Sequence, residues 1–267
     1  EDSIDYAITH ANYHPLFKDF LEKFGYYDIF LIDSKEGNIV YSVFKEVDFG
    51  TSIKTGAFAN SNLAKVYESA IGANKNDFVT LVDYEPYAAS YNAPAAFMAS
   101  PIFDGEECIG VLVFQMPIEE INNIMTNREE WFEVGLGLSG ETYLVSEDFT
   151  LRNQSRFLIE DRNEYFKMIE ELGMDKSVIQ QIKTFNSCIG LQEVKTEGTI
   201  AALKGEKDTR IFEDYRGVEV LSSFKPLEIS GLNWVIMSEI DKSEAFASVA
   251  NLRNKILIFF GLTVILV

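Results

Sequence analysis

Tyrosine and carboxylate side chains are concentrated in one short stretch of this 267-residue chain, between positions 83 and 92. Its polar and aromatic side chains are Asp83, Tyr84, Glu85, Tyr87, Tyr91 and Asn92. The faces of tyrosine rings attract organic cations and carboxylates balance their charge, so the composition suits a site for a neutral polar or cationic small molecule. The alternative interpretation is that these tyrosines pack the edge of a sheet and direct their hydroxyls to water.

The two histidines, His10 and His14, have the spacing of two metal ligands on one helix face. Pro15 follows them, and a residue before proline is biased away from helical geometry. The sequence therefore predicts surface histidines and no metal site. With no other histidine, a Ser-His-Asp or Cys-His centre would have to take its base from this N-terminal segment, which disfavours a hydrolase.

Gly135 to Gly140 match the pattern G-x-G-x-x-G. A dinucleotide-binding loop follows a strand and opens a helix, whereas this one leads into the apolar strand pattern of residues 141–145. It is predicted to be a turn. Adjacent carboxylates such as Glu106 and Glu107 lie in turns or on helix faces, where nothing indicates convergence across a cleft. We expect no catalytic residue, metal or cofactor.

The chain carries a formal net charge of −19, with 47% hydrophobic and 13% aromatic residues. Nucleic-acid binding needs a basic surface, so this charge disfavours it. The apolar content is ample for two cores, and the length predicts two domains. Cys108 and Cys188 stand in no metal-binding spacing, and two cysteines exclude a disulfide framework.

One pattern of strands occurs twice along the chain. The corresponding segments are 27–33 with 141–145, 39–42 with 150–152, 95–101 with 218–224, and 110–115 with 233–237. Further patterns predict helices at 60–72, 163–172 and 175–185 and a strand at 194–201. Pro15 is expected to break the helix of residues 3–24. The predicted fold is α+β, with two tandem PAS-like modules, each an antiparallel sheet flanked by helices.

The last residues, 256–267, form an uncharged apolar run. This run is apolar on every face, which favours the start of a truncated transmembrane helix over a buried C-terminal helix. The expected organisation is an N-terminal helix (1–25), a first module (26–125), a second module (126–250) and the start of a membrane helix (254–267). We expect a fragment of a longer protein.

An ordered set of segments resembles the double Cache domain of bacterial transmembrane receptors. These segments are Phe24 to Asp33, Lys45 to Thr51, Pro94 to Ile102, Gly140 to Val145, and Gly231 to Trp234. The resemblance implies an extracytoplasmic, periplasmic or extracellular sensor in the cell membrane. It further implies that a missing output module serves chemotaxis, a histidine kinase or a nucleotide cyclase.

The resemblance also implies that the first, membrane-distal module holds the ligand. Gln115 stands where amino-acid-binding members of the family have an aspartate, and Arg128 is the first arginine of the chain. No guanidinium can therefore grip a ligand carboxylate in the first module, which disfavours amino-acid binding of the usual kind. The expected ligand-binding residues are Asp83, Tyr84, Tyr87, Tyr91, Asn92, Phe97 and Gln115.

The function expected from these observations is non-enzymatic sensing of a small molecule. Binding in the first module would be transmitted through the C-terminal helix, and the apolar stripe of the N-terminal helix would pair with its copy in a homodimer. The alternative is a ligand-free module that mediates protein interaction or dimerisation. Substitution of the tyrosines distinguishes the two, because only the sensor depends on them.

Overall fold

The computed structural model describes residues 2–73 and 75–266, without the side chains of residues 2, 3 and 259–266. The strands are β1 Asp28–Asp33, β2 Ile39–Ser42, β3 Thr80–Tyr87, β4 Ala93–Asp104, β5 Glu107–Gln115, β6 Glu141–Ser146, β7 Asp208–Glu213, β8 Glu219–Pro226 and β9 Trp234–Asp241. The α-helices are α1 Asp2–Phe24, α2 Asn62–Ile71, α3 Ile118–Met125, α4 Arg156–Glu160, α5 Arg162–Glu171, α6 Lys176–Phe185, α7 Glu197–Leu203, α8 Lys242–Ala245 and α9 Ala247–Leu266.

The chain divides into two compact units, and both contain helices and an antiparallel sheet, as predicted for an α+β fold. The first unit comprises Glu1–Ile121 with Ile229–Leu232, and the second comprises Asn122–Glu228 with Asn233–Val267. Two short 3₁₀ helices, Ala88–Ser90 and Asn127–Glu129, complete the described elements.

The five strands of the first unit run in the order β2-β1-β5-β4-β3. Successive side chains of a strand face opposite sides of the sheet, and here both sides are covered. Phe30, Phe97 and Val113 pack on one side against α2, whose Leu63 and Val66 are fully buried. The other side packs against α1 through a smaller cluster that contains Leu21, Ile29, Tyr41 and Val43. Because both sides are covered, polar residues at the strand ends on the α2 side are enclosed.

The four strands of the second unit run in the order β6-β9-β8-β7. Tyr143, Val220 and Met237 form the inner face of this sheet and pack against helices α5 to α7. Asp161 and Asp175 cap α5 and α6 by accepting backbone N–H groups of the first turn. The core of each unit thus lies between one sheet and the helices on its inner face.

The predicted break at Pro15 is wrong, because α1 continues through it. Proline removes one hydrogen bond to the preceding turn, and contacts on either side of Pro15 hold α1 on the sheet. His14 lies 2.9 Å from the Tyr41 hydroxyl, and the rings of Phe17 and Tyr41 are 4.9 Å apart. His10 and His14 therefore share a helix face, with their rings stacked at 4.5 Å.

Two predicted strands are also wrong. Residues 194–201 were expected to be extended, but Glu197–Leu203 form α7, which Thr196 and Thr199 start with a reciprocal capping box. A Cβ atom at Gly198 would lie 2.4 Å from the Phe212 ring, so glycine permits the close approach of α7 to the sheet. Residues 150–152 form only isolated bridges, Thr150 with Glu193 and Leu151 with Val145.

The C-terminal helices begin directly after β9, with α8 at Lys242 and α9 at Ala247. Among the described residues, no helix is both long enough and apolar enough to cross a bilayer. The predicted membrane segment, 254–267, falls largely on residues 259–267, whose side chains lie outside the described part of the chain.

Candidate functional site

Asp28, the first residue of β1, is a fully buried carboxyl group on the inner side of the first sheet. Its direct cross-strand partner is Gln115, the last residue of β5. Backbone N–H groups of Ile29 and Val43 donate to Oδ1 of Asp28 at 2.7 and 2.8 Å. Its second oxygen, Oδ2, is buried without a hydrogen-bond partner.

Asp48 brings a second buried carboxyl group to this region from the loop after β2. Tyr87, at the end of β3, donates a hydrogen bond from its hydroxyl to Oδ2 of Asp48 at 2.5 Å. Oδ1 of Asp48 has no hydrogen-bond partner. The Tyr87 ring is fully buried and meets the Phe97 ring edge-on at 5.1 Å. The rings of Tyr87 and Phe97 therefore form the aromatic side of the site next to Asp48.

Gln115 closes the site through a chain of side-chain hydrogen bonds. Its Nε2 group donates to the Ser90 hydroxyl at 3.2 Å, and that hydroxyl donates to Oε2 of Glu46 at 3.5 Å. The exposed Tyr27 hydroxyl donates to the other Glu46 oxygen at 3.4 Å. Oε1 of Gln115 is buried without a partner. We refer to Asp28, Glu46 and Asp48 as the first acidic cluster.

Burial dominates the electrostatics of the first acidic cluster. It raises the pKa of Asp28 to about 6, against the lowering effect of the backbone hydrogen bonds, and the Asp48 charge adds to the rise. Burial also raises the pKa of Asp48 and of Glu46. Neither Asp28 nor Asp48 forms an ion pair with a lysine or arginine of the described residues. Lys45 interacts with the charge of Asp28 without forming an ion pair with it, so the described basic side chains balance the cluster only at a distance.

Residues 3–249 match the family described as Cache domain. The chain belongs to the Cache family. The double Cache resemblance seen in the sequence is thereby confirmed, as is the α+β fold of two antiparallel sheets with helices. Cache domains of chemoreceptors are extracellular sensing domains of membrane receptors, and this chain is accordingly a ligand-sensing domain of a signalling receptor. No curated protein sequence is significantly similar to it.

Several solved ligand-binding domains of chemoreceptors are similar to this Cache chain. The Pseudomonas aeruginosa amino acid chemoreceptor PctC in complex with GABA has a TM-score of 0.50 and 14% identity, covering 85% of this chain and 77% of that chain. The same organism's PctB with L-Arg has a TM-score of 0.48 and 17% identity (86% and 72% covered). Pseudomonas fluorescens CtaA with L-serine has a TM-score of 0.46 and 15% identity (82% and 74% covered). At such identities PctC shares the fold alone.

The Cache fold brings together three of the seven residues expected to bind ligand, namely Tyr87, Phe97 and Gln115. Tyr84 is buried on β3 at an irregularity in its pairing with β4. The backbone carbonyl of the adjacent Asp83 accepts a hydrogen bond from the Asn62 side chain at 3.1 Å.

Tyr91 and Asn92 lie on the surface of the Cache domain, outside the site. Tyr91 is 84% exposed, and both residues have positive φ angles directly after the 3₁₀ helix Ala88–Ser90. This left-handed turn reverses the chain between β3 and β4 and directs both side chains away from the core. The alternative interpretation of a hydroxyl at the water boundary therefore describes Tyr91, whereas Tyr87 is enclosed.

Sequence reasoning missed Asp28, Glu46, Asp48 and Ser90. The available signal was Asp28 itself, a charged residue that opens an otherwise apolar strand on the same side as Phe30 and Ile32. It restores, across the strand pair, the carboxylate that Gln115 does not supply.

The described residues contain no group of three or more histidine, cysteine, aspartate or glutamate side chains able to hold a metal ion. His10 and His14 are engaged by Lys45 and Tyr41, with Lys45 Nζ 2.7 Å from His10 Nε2. Gly135 to Gly140 lie in turns before β6, as predicted. A Cβ atom at Gly140 would lie 2.1 Å from the Leu136 carbonyl oxygen, so the turn has no room for a larger residue at this position.

Proposed function

We propose that the first unit senses a small organic cation with a primary ammonium group, bound at the first acidic cluster. One observation carries the proposal. Three buried acceptor atoms have no hydrogen-bond partner: Oδ2 of Asp28, Oδ1 of Asp48 and Oε1 of Gln115. Buried polar atoms are almost always paired, so each unpaired acceptor requires an explanation.

A primary ammonium group offers three N–H donors, the same number as these acceptors. Its positive charge would also stabilise two ionised carboxylates that burial otherwise disfavours. Asp28 and Gln115 are direct cross-strand partners. Burial raises the pKa of the Tyr87 hydroxyl, and the charges of Asp48, Glu46 and Asp28 add to the rise. The rings of Tyr87 and Phe97 add faces that attract cations.

The absence of arginine before Arg128 favours an amine without a carboxylate. The PctC, PctB and CtaA structures hold GABA and amino acids, which carry both groups. A buried ligand carboxylate needs a cationic partner, and the first unit has no guanidinium to supply one. We therefore expect butylammonium to bind more tightly than GABA.

Signalling would follow if the ligand favours one arrangement of the first unit over another. We infer that the change reaches the cell membrane through α8 and α9, with both units extracytoplasmic. The exposed apolar side chains of α1, which include Ile4, Ile8 and Leu16, support pairing of two chains in a homodimer.

Calorimetric titration of the full chain with butylammonium tests the proposal, with tetramethylammonium as a cation that lacks N–H donors. Butylammonium should bind and tetramethylammonium should not. Asp48→Asn should weaken butylammonium binding roughly 10- to 100-fold, since a hydrogen bond to a charged group contributes about 1.5–3 kcal/mol. Asp77→Asn makes the same chemical change at an exposed position and should leave the affinity unchanged.

Two results would contradict the proposal. Equal affinity for butylammonium in the wild type and in Asp48→Asn would place binding elsewhere. Failure of every primary amine to bind, while the chain still dimerises, would favour the interaction module instead.

A further inference from the structure

The part of α1 that precedes Pro15 is held on the first unit mainly by two histidines. Within residues 4–14, all of which the structure describes, His10 and His14 are partly buried and every other side chain is exposed. They are also the only histidines of the chain. Histidine is the side chain whose ordinary pKa places its change of charge between about pH 5 and pH 8. The attachment of this part of α1 therefore depends on residues that can become charged near neutral pH.

The contact between His10 and Lys45 requires a neutral histidine. Lys45 Nζ lies 2.7 Å from His10 Nε2. An ammonium group has N–H donors and no acceptor, so Nε2 of His10 accepts this hydrogen bond and carries no proton. Lys45 is itself fixed on Ser42, to which its backbone N–H donates at 2.8 Å (Oγ) and its Nζ at 3.2 Å (carbonyl oxygen). A protonated His10 would direct an N–H donor and a positive charge against the ammonium group of Lys45.

Protonation of His14 would add a second positive charge to the same surroundings. Its Nδ1 lies 2.9 Å from the Tyr41 hydroxyl, and its ring stacks on that of His10 at 4.5 Å. Burial lowers the pKa of His14, and the charges of His10, Lys45 and Lys18 lower it further. The folded chain therefore resists protonation of His14, and the stability of this contact is lost as the pH falls below the ordinary histidine value of 6.5.

The other titratable groups around the histidines do not offset this added charge. Burial raises the pKa of Tyr6 and Tyr41, so both hydroxyls stay neutral. Asp28 supplies the opposing charge, which raises the pKa of Lys45 against the larger lowering effect of burial. Burial raises the pKa of Asp28 itself to about 6. Acidification therefore removes this negative charge in the same pH range in which histidine gains a positive one.

Pro15 separates the histidines from the apolar part of α1. Proline lacks the N–H group that would bond to the preceding turn, which weakens the helix at this point. Beyond Pro15, Leu21 is buried, and the Phe17 ring lies 4.9 Å from the Tyr41 ring. These apolar contacts do not depend on pH. The part of α1 before Pro15 can therefore leave the sheet while the part after it stays in place.

We propose that the first unit responds to acid through α1: neutral His10 and His14 hold the helix before Pro15 on the sheet, and their protonation releases it. This response needs no ligand at the first acidic cluster. The exposed side chains of Ile4 and Ile8 lie on the same part of α1. Its release therefore also changes the apolar surface that α1 offers to a second copy of the chain.

Native-state hydrogen exchange of the full chain at pH 7.5 and pH 5.0 tests the proposal, in buffers that contain no amine. After correction for the intrinsic exchange rate at each pH, the protection of residues 7–13 should fall at least tenfold, and that of residues 18–24 by less than about twofold. Proton NMR of the histidine rings follows their protonation over the same range. Unchanged protection of residues 7–13 while both histidines become protonated overturns the proposal without any variant having to fold.

A double variant assigns the response to the histidines. In His10→Gln with His14→Gln, an amide oxygen can still accept from Lys45 but cannot be protonated in this range. The protection of residues 7–13 should then change less than about twofold between the two pH values. Asn12→Gln places the same side chain at an exposed position of this part of α1 and should keep the full response.

An equal fall of protection in the double variant and in the wild type would assign the response to other groups, such as Asp28, and the inference would fail. Because no amine is present in these measurements, that failure would leave the proposed binding at the first acidic cluster unaffected. Failure of butylammonium to bind would likewise leave the acid response of α1 in place.

Discussion

Glu244 in α8 binds Ser139 in the turn before β6 at two points. The Ser139 backbone N–H donates to Oε2 of Glu244 at 2.9 Å and the Ser139 hydroxyl donates to the same oxygen at 2.5 Å. The neighbouring Leu138 N–H donates to Oε1 at 2.8 Å. The Ser139 hydroxyl also accepts the backbone N–H of Asp241 at 3.0 Å. The helix that leads to the C-terminus is thereby attached to the start of the second sheet.

Glu244→Ala should therefore free this turn from α8. The amide hydrogens of Leu138 and Ser139 lose a charged acceptor, so they should exchange with solvent at least tenfold faster, because a hydrogen bond to a charged group contributes about 1.5–3 kcal/mol. Glu133→Ala, at an exposed position of the same unit, is the control. Native-state hydrogen exchange measures both, and unchanged protection in Glu244→Ala would show that the backbone alone holds the turn.

Arg216 and Arg210 are both arginines in ion pairs, but they differ in burial. The Arg216 side chain is 10% exposed and pairs with Asp214, which is 2% exposed, whereas Arg210 is 32% exposed and its partners lie in solvent. Arg216→Met should cost about 3–5 kcal/mol of unfolding free energy because it leaves a buried carboxylate unpaired. Arg210→Met should cost at most about 1 kcal/mol. Urea unfolding of the full chain measures the difference, and equal costs would refute the burial argument.

Most strands could be predicted because each alternates or runs apolar between turn residues, whereas the order of the strands in each sheet was not predicted. The wrong predictions of secondary structure fall where a local sequence pattern competes with tertiary packing. The segment 194–201 contains β-branched residues, but Thr196 and Thr199 form a capping box and Gly198 lets α7 approach the sheet. Contacts with Tyr41 hold α1 together at Pro15, and no local pattern reveals them.

The site could be predicted only in part, for a related reason. Phe97 and Gln115 lie on strands, and strand alternation determines which face each occupies. Asp48 lies in a loop, and only the fold brings it to the Tyr87 hydroxyl, 39 positions away in sequence. A left-handed turn places Tyr91 outside the site. Tyr91 and Tyr87 are the same residue type, so composition alone does not distinguish them.

Glu141 and Glu239, two buried carboxyl groups that face each other on β6 and β9, should make the chain less stable at neutral than at mildly acidic pH. Burial raises the pKa of Glu141 and Glu239 from 4.5 to about 7, so between these values the folded chain binds more protons than the unfolded chain. The unfolding free energy therefore falls as pH rises through this range. Carboxyls with lowered pKa, such as Asp175 and Glu244, act in the opposite direction, but below pH 4.5.

Glu239→Gln isolates the contribution of one member of the pair. A neutral amide cannot ionise, so this variant should lose less stability than the wild type between pH 5 and pH 7.5, by an amount on the order of 3 kcal/mol. Glu213→Gln, at an exposed position, should follow the wild type. Denaturant unfolding at both pH values gives the comparison. If Glu239→Gln and the wild type lose the same stability over this range, Glu239 does not titrate there.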